Sequence, residues 1–231
     1  MEKHTIPISR VTRSKDDAKF SYNKMSRYYE ILAGCSESKV IDVGLEKLAA
    51  KEGETILEIG FGTGYAIEAL AKSVGETGKV YGIDIAEEMF KLALVRIQKA
   101  GLAERVELKC GDATHIPIEN ERLDAVFISF TLELFDNPEI PIVLQECLRI
   151  LRNKGRICIV AMSKKGKPGF TTQLYEWIHM QFPKFVDCRP IYIQEALYEA
   201  GFQIVEILEK SIWGLPVEIV LATQVQILTP Q

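Results

Sequence analysis

The chain has 231 residues, 47% of them hydrophobic and 26% charged, with a formal charge of −4. These are the proportions of a soluble globular protein, and the length is that of one domain able to bury a full core. The acidic balance argues against a nucleic-acid scaffold. No signal-peptide core opens the sequence, and no apolar run reaches the roughly 20 residues of a membrane span.

In chain order, the first twenty residues are polar and basic (Arg10, Arg13, Lys15, Lys19) and read as an arm. Phe20 to Leu32 has helical character with Tyr22, Tyr28 and Tyr29. Ser38 to Ala50 reads as an amphipathic helix through Val40, Val43, Leu45 and Leu48. Strands and helices then alternate: strands at Thr55–Ile59, Lys79–Asp84, Val106–Cys110, Leu123–Ser129 and Arg156–Met162, with helices at Tyr65–Val74, Ala86–Ala100 and Pro138–Leu151 between them. A long connection, Ser163 to Pro190, contains a predicted helix at Phe170–Phe182. A helix at Ile191–Ala200 and strands at Phe202–Leu208 and Val217–Thr223 close the chain, with a turn at Trp213–Pro216. Regular βα alternation predicts an α/β fold, a parallel sheet with helices on both faces. The expected layout is a single domain: an N-terminal helical lid or arm (1–52), a ligand-binding core (53–163), an insertion (164–201) and closing strands (202–231).

The five cysteines (Cys35, Cys110, Cys147, Cys158, Cys188) are scattered and lack C-x-x-C spacing. A reduced, cytoplasmic, metal-free protein is therefore expected, with buried free thiols at Cys110 and Cys158. The three histidines (His4, His115, His179) make no metal-ligand pattern.

The most informative stretch is Ile56-Leu-Glu-Ile-Gly-Phe-Gly-Thr-Gly64. A short apolar strand runs into Gly60, Gly62 and Gly64, and a helix follows, as at the entry of a nucleotide-binding α/β unit. Twenty residues after Gly64 a second strand ends in Asp84, placed to accept hydrogen bonds from both ribose hydroxyls of a nucleoside. Dinucleotide folds use G-x-G-x-x-G and set a pyrophosphate on the helix N-terminus. Here the spacing is G-x-G-x-G with Glu58 beside it, which would repel a pyrophosphate and suits a cationic, phosphate-free ligand such as S-adenosylmethionine. That opposes an NAD-dependent oxidoreductase.

Through Leu57–Gly64 and Gly82-Ile83-Asp84 the sequence resembles the class I S-adenosylmethionine-dependent methyltransferases. The resemblance runs from about Thr55 to Arg156. It implies a Rossmann-like, seven-stranded, mostly parallel sheet with an antiparallel C-terminal strand. It also implies that Asp112 holds the adenine amino group with the Ala113 N–H on a ring nitrogen, that Ile85 and Met89 sandwich adenine, and that Ser129 lies beneath the methionine part. Glu58, Gly60, Gly62, Gly64 and Asp84 complete the expected cofactor set.

The nearest subgroup is the ubiquinone/menaquinone-biosynthesis C-methyltransferases, through Asp84-x-x-x-x-Met89, Gly111-Asp112-Ala113-x-x-x-Pro117 and Leu123–Val126. Those enzymes carry an Arg-Asn pair after the fourth strand, where this chain has Ser129-Phe-Thr-Leu-Glu133-Leu. Glu133 reads either as steering a cationic or amine acceptor or as a solvated loop acid. Another turn also departs, Asn153-Lys154-Gly155 standing for Pro-Gly-Gly.

Methyl transfer from a sulfonium needs positioning above all, so no fixed catalytic constellation is required. An acceptor that must lose a proton needs a base, for which Tyr22, Tyr29 and Glu133 are the candidates; helix packing is the competing reading for the tyrosines. The aromatic-rich 164–190 connection implies a hydrophobic or lipid-like small-molecule acceptor, its alternatives being a homodimer interface or peripheral membrane contact. A non-catalytic nucleoside-binding module or regulatory subunit is the competing function.

Overall fold

A computed structural model describes residue 10 and residues 34–164 and 189–225, with side chains of the second stretch from residue 37. Tyr22, Tyr28, Tyr29 and the expected helices at 20–32 and 170–182 lie outside the described residues.

The elements are α1 (Gly34–Leu48), β1 (Thr55–Ile59), α2 (Tyr65–Ser73), β2 (Lys79–Asp84), α3 (Glu87–Lys99), β3 (Val106–Cys110), β4 (Leu123–Ser129), α4 (Glu139–Ile150), β5 (Leu151–Met162), α5 (Ile193–Ala200), β6 (Phe202–Ile212) and β7 (Leu215–Gln224). They form one seven-stranded sheet in the order β3-β2-β1-β4-β5-β7-β6. β1 to β5 pair in parallel, and β7 runs antiparallel to both of its neighbours. The chain leaves β1 toward β2 on one side and returns beside it as β4 on the other. The crevice at the carboxyl ends of β1 and β4 is therefore the topological switch point, where open α/β sheets bind ligands.

Two apolar clusters fill the two faces of the sheet. On one face Leu57, Ile59, Val126, Ile128, Ile157 and Ile159 pack against Val143, Leu144 and Cys147 of α4 and Leu197 of α5. On the other, Ile56, Ala125, Phe127, Cys158 and Val160 pack against α1, α2 and α3. The two-residue side-chain period of a strand divides them. Every residue of β4 is buried, as expected of a central strand covered on both sides. Helix α1 lies against β4 and β5 at Gly44, where a Cβ would sit 2.5 Å from Val160 Cγ2.

Several boundaries differ from expectation. α1 starts about a turn before Ser38 and stops at Leu48, where Ala49 turns left-handed (φ 50°). Arg156 ends it from a distance, donating to the carbonyls of Leu48 and Ala49 while its guanidinium pairs with Glu54. Such a cap satisfies terminal carbonyls that no local residue reaches. β6 and β7 extend to a two-residue hairpin at Trp213-Gly214, both with positive φ (50° and 80°), the turn geometry that matches strand twist. The polar Glu209-Lys-Ser211 hid this because β6 is an edge strand with much of its surface in solvent. Cys158 is a buried free thiol, whereas Cys110 is exposed: β3 is the opposite edge of the sheet, and the expectation of burial there is corrected.

Candidate active site

The glycine loop after β1 is held by backbone hydrogen bonds. Gly60 N–H donates to the Ile83 carbonyl (2.8 Å), tying the loop to β2, and Gly64 N–H donates to the Phe61 carbonyl (2.8 Å). Gly60 has φ 72°, and a Cβ there would lie 2.1 Å from Thr131 Oγ1, so only glycine admits the segment after β4. That segment is fixed in turn by Thr131 Oγ1 donating to the Ser129 carbonyl (2.8 Å). Gly62, with φ 50°, has open space where its Cβ would stand.

Glu58 and Asp84 flank the loop. Glu58 is 2% exposed, accepts the Ile67 N–H, and keeps Oε2 without a hydrogen-bond partner among the described residues. Burial first, and the Asp84 charge second, push its carboxyl well above the usual range. Asp84, half-buried at the tip of β2, accepts the Gly62 N–H on Oδ2 (2.9 Å) and the Ala86 N–H on Oδ1 (2.8 Å). Desolvation raises its pKa, and these backbone donors oppose that rise. After β3, Asp112 Oδ1 accepts the Thr114 N–H (3.0 Å), a local turn that fixes the Asp112-Ala113 backbone. The stretch beyond it is clamped by α4: Glu146 accepts the Ile116 N–H, and Arg149 donates to the carbonyls of Ile116 and Ile118.

These groups converge on a cleft of about 240 Å³. Of the expected cofactor residues, Glu58, Gly60, Gly62, Asp84, Ile85, Met89, Asp112, Ala113 and Ser129 line it. Gly64 does not. It is the left-handed N-cap of α2 (φ 83°), and a Cβ there would stand 2.9 Å from the Ala93 Cβ, so it serves the close approach of α3.

Glu133 is also placed elsewhere than a solvated loop. It is fully buried behind the cleft wall, one oxygen accepting the Met162 N–H (3.2 Å), and it is not among the lining residues. Desolvation lifts its pKa to about 8, so it is predominantly neutral at neutral pH. Tyr22 and Tyr29 lie outside the described residues. His115 is exposed, stands within hydrogen-bond distance of the Thr114 hydroxyl and is not among the lining residues.

Other lining residues escaped the sequence reading. Glu37 and Ile41 come from α1, Tyr65 from α2, Phe130, Thr131, Leu134, Phe135 and Asp136 from the stretch between β4 and α4, and Glu139 from the start of α4. Phe130 adopts φ 47°, a costly conformation for a non-glycine residue and one found preferentially at functional sites. Asp136 carries a two-pronged ion pair with Arg10, Nε to Oδ1 at 2.8 Å and Nη2 to Oδ2 at 2.6 Å. Asp136-Asn-Pro reads simply as a helix start, and an acid in the first turn of α1 reads simply as dipole compensation.

The electrostatics are one-signed. Glu37, Glu58, Asp84, Asp112, Asp136 and Glu139 all line the cleft, and no Lys, Arg or His does so among the described residues. Arg189 sits behind the wall, donating to the Phe135 carbonyl (2.5 Å), its pKa lowered to about 10 by desolvation. Such a cleft repels phosphates and accepts a sulfonium and an ammonium. The unsatisfied oxygen of Glu58 and the open space over Gly62 fit the aminoacyl end of S-adenosylmethionine. Among the described residues no cluster of side chains could hold a metal ion.

Known proteins agree with this geometry. Residues 56–155 match the methyltransferase-domain family. A demethylmenaquinone methyltransferase of Lactobacillus johnsonii is 37% identical over 123 residues, 53% of this chain and 50% of that protein. An arsenite methyltransferase of Halobacterium salinarum is 29% identical over 183 residues, 77% of this chain and 43% of that protein. The chain thus spans about half the length of these curated relatives. The crystal structure of a SAM-dependent methyltransferase from Aquifex aeolicus shares the fold, with a TM-score of 0.67 at 24% identity, covering 88% of this chain and 98% of that one. Residues 56–155 thus match a methyltransferase domain, and in its motifs and sheet order the chain is similar to class I S-adenosylmethionine-dependent methyltransferases.

Proposed function

We propose that the chain catalyses methyl transfer from S-adenosylmethionine to a small, hydrophobic or lipid-like acceptor by in-line displacement. The observation that carries this reading is the all-acidic cleft at the switch point, continued by an apolar wall of Ile41, Phe130, Leu134 and Phe135. In this reading Asp84 holds the ribose hydroxyls, and Asp112 with the Ala113 N–H holds the adenine edge. Ile85 and Met89 cover its faces. Glu58, Gly60 and Gly62 receive the aminoacyl end, and Ser129 lies beneath it. Gly64 supports the loop from outside the cleft.

When bound, the cofactor supplies an electrophilic methyl carbon with a neutral thioether as leaving group. The chain's part is to align the acceptor on that axis and keep water out, effects that can lower a barrier by roughly 7–11 kcal/mol. The apolar wall suits an acceptor with a hydrophobic body. The curated relatives' names point to quinone and arsenite acceptors. A quinol is favoured here, because the acid at 133 is buried and mostly neutral and so does not present the reversed charge that its sequence position suggests.

Calorimetric titration with S-adenosylhomocysteine, with NAD as the comparison, tests the reading. Binding of the first alone is expected. Binding of NAD alone would overturn it. Binding of S-adenosylhomocysteine without turnover of any acceptor would favour a non-catalytic module.

A further inference from the structure

The cleft contains a carboxyl to which the proposed reading gives no part in holding the cofactor. Glu37 stands in the first turn of α1, one turn before Ile41, and both line the cleft with Phe130, Leu134 and Phe135. Its carboxyl is half-buried and has no hydrogen-bond or ion-pair partner among the described residues. The neighbouring cations are engaged elsewhere: Arg10 grips Asp136, and Arg189 donates to the Phe135 carbonyl behind the wall.

Among the described residues, the groups that line the cleft with Glu37 are acidic or neutral. Asp136 and Glu139 line the same cleft from the β4–α4 side, Tyr65 from α2, and Glu133 lies behind, its own ionisation opposed by the Glu37 charge. Tyr65 Oη is turned toward Asp42, donating to its carboxylate (2.7 Å). A carboxyl with no partner among the described residues, beside apolar side chains, is ready to take up a proton, and the acidic lining disfavours anionic acceptors.

We propose that Glu37 is the general base for methyl transfer, taking the proton of a weakly acidic acceptor hydroxyl. The proposal rests on the methyltransferase reading above. The acceptor oxygen gives an electron pair to the new C–O bond, the departing thioether keeps the pair of the broken C–S bond, and the hydroxyl proton passes to a Glu37 oxygen. For attack through ring carbon, the hydroxyl proton goes to Glu37 as the ring carbon bonds the methyl and the C–S pair leaves with the thioether; the ring proton then passes to water while Glu37 returns its proton to the oxygen. Desolvation holds the Glu37 carboxyl at about 7, where a base works best near neutral pH.

The test compares the wild-type chain with Glu37→Gln and Glu37→Asp, using a 2-alkyl-1,4-naphthohydroquinone kept reduced as the acceptor probe. The wild-type kcat should fall about tenfold per pH unit below pH 7, as for a single essential base. Glu37→Gln should lower the plateau kcat at least ~100-fold and abolish that limb, and Glu37→Asp should restore part of both. Affinity for S-adenosylhomocysteine should stay within about threefold, a change below ~0.7 kcal/mol. Without any acceptor, carbon-13 NMR of the Glu37 carboxyl in the S-adenosylhomocysteine complex should titrate near neutrality.

A Glu37→Gln variant that keeps the wild-type kcat and pH limb overturns the proposal and leaves the methyltransferase reading intact, as does a carboxyl midpoint in the ordinary glutamate range. A wild-type chain that transfers methyl to no phenolic or hydroquinone probe overturns the proposal too. If it also fails with amine and thiol probes, the methyltransferase reading itself falls.

Discussion

The two ends of the cleft are built on different principles. At the cofactor end, carboxylates are held by the backbone: Asp84 by the Gly62 and Ala86 N–H groups, Asp112 by Thr114, Glu58 by Ile67. At the other end, backbone donors to Glu133, Asp136 and Glu139 are joined by a long-range ion pair and by burial. Arg10 grips Asp136 across 126 residues of sequence, Glu133 is sealed behind the wall, and Glu37 has no partner among the described residues. Backbone donors at strand tips make the first end rigid and its chemistry fixed. The second end can change its acceptor by a few side-chain substitutions on the same scaffold, as expected when function is grafted onto a fold.

The sharpest way to break this contrast is Gly60→Ala. Its Cβ would collide with Thr131 in a left-handed backbone, so a loss of several kcal/mol of stability is expected, together with cofactor binding. Urea unfolding and calorimetry read both losses. Gly62→Ala is the matched control: the added methyl meets nothing in the protein, so stability should fall by only about 1 kcal/mol while S-adenosylhomocysteine binding is blocked. If both variants bind normally, the loop has been misassigned.

Asp84→Ala comes next. Losing the contact to Gly62 of the loop, the contact to Ala86 after β2 and the expected ribose bonds should weaken S-adenosylhomocysteine binding on the order of 100-fold. Unchanged affinity in a folded variant would remove Asp84 from the site.

Glu133 tests the acceptor end through pH. Its folded pKa, about 8, lies above its unfolded value near 4.5, so the native state binds more protons between those limits. Stability linked to it is therefore complete below about pH 4.5 and is lost as pH rises toward 8, a change on the order of a few kcal/mol. Glu37, raised to about 7, acts in the same direction. Glu133→Gln should flatten most of this slope in urea midpoints measured from pH 5 to 8.5, leaving S-adenosylhomocysteine affinity nearly unchanged; a slope as steep as the wild type's would show that Glu133 is not the group responsible.

The smallest effect belongs to Arg10→Ala. Its guanidinium is largely in solvent, where an ion pair contributes little to stability, so the melting temperature should hardly move. A change in the KM for the acceptor with kcat unchanged would tie residue 10 to the acceptor end. A change in cofactor affinity instead would place it with the other half.

The sequence alone was sufficient for the strands β1 to β4, whose limits coincide with the runs Thr55–Ile59, Lys79–Asp84, Val106–Cys110 and Leu123–Ser129. Buried parallel strands are continuous apolar segments closed by turn residues, a one-dimensional signal. The residues proposed for the cofactor belong to the same local signal, since each stands in a strand or within five residues of its end. Tertiary structure alone decided the rest. It set Gly64 behind the loop, buried Glu133, exposed Cys110 on an edge strand, and brought Glu37, Asp136 and Arg10 together from three distant segments. Burial and charge compensation depend on which segments pack together, and the local pattern around an acid does not reveal whether it will face water, a guanidinium or an apolar wall.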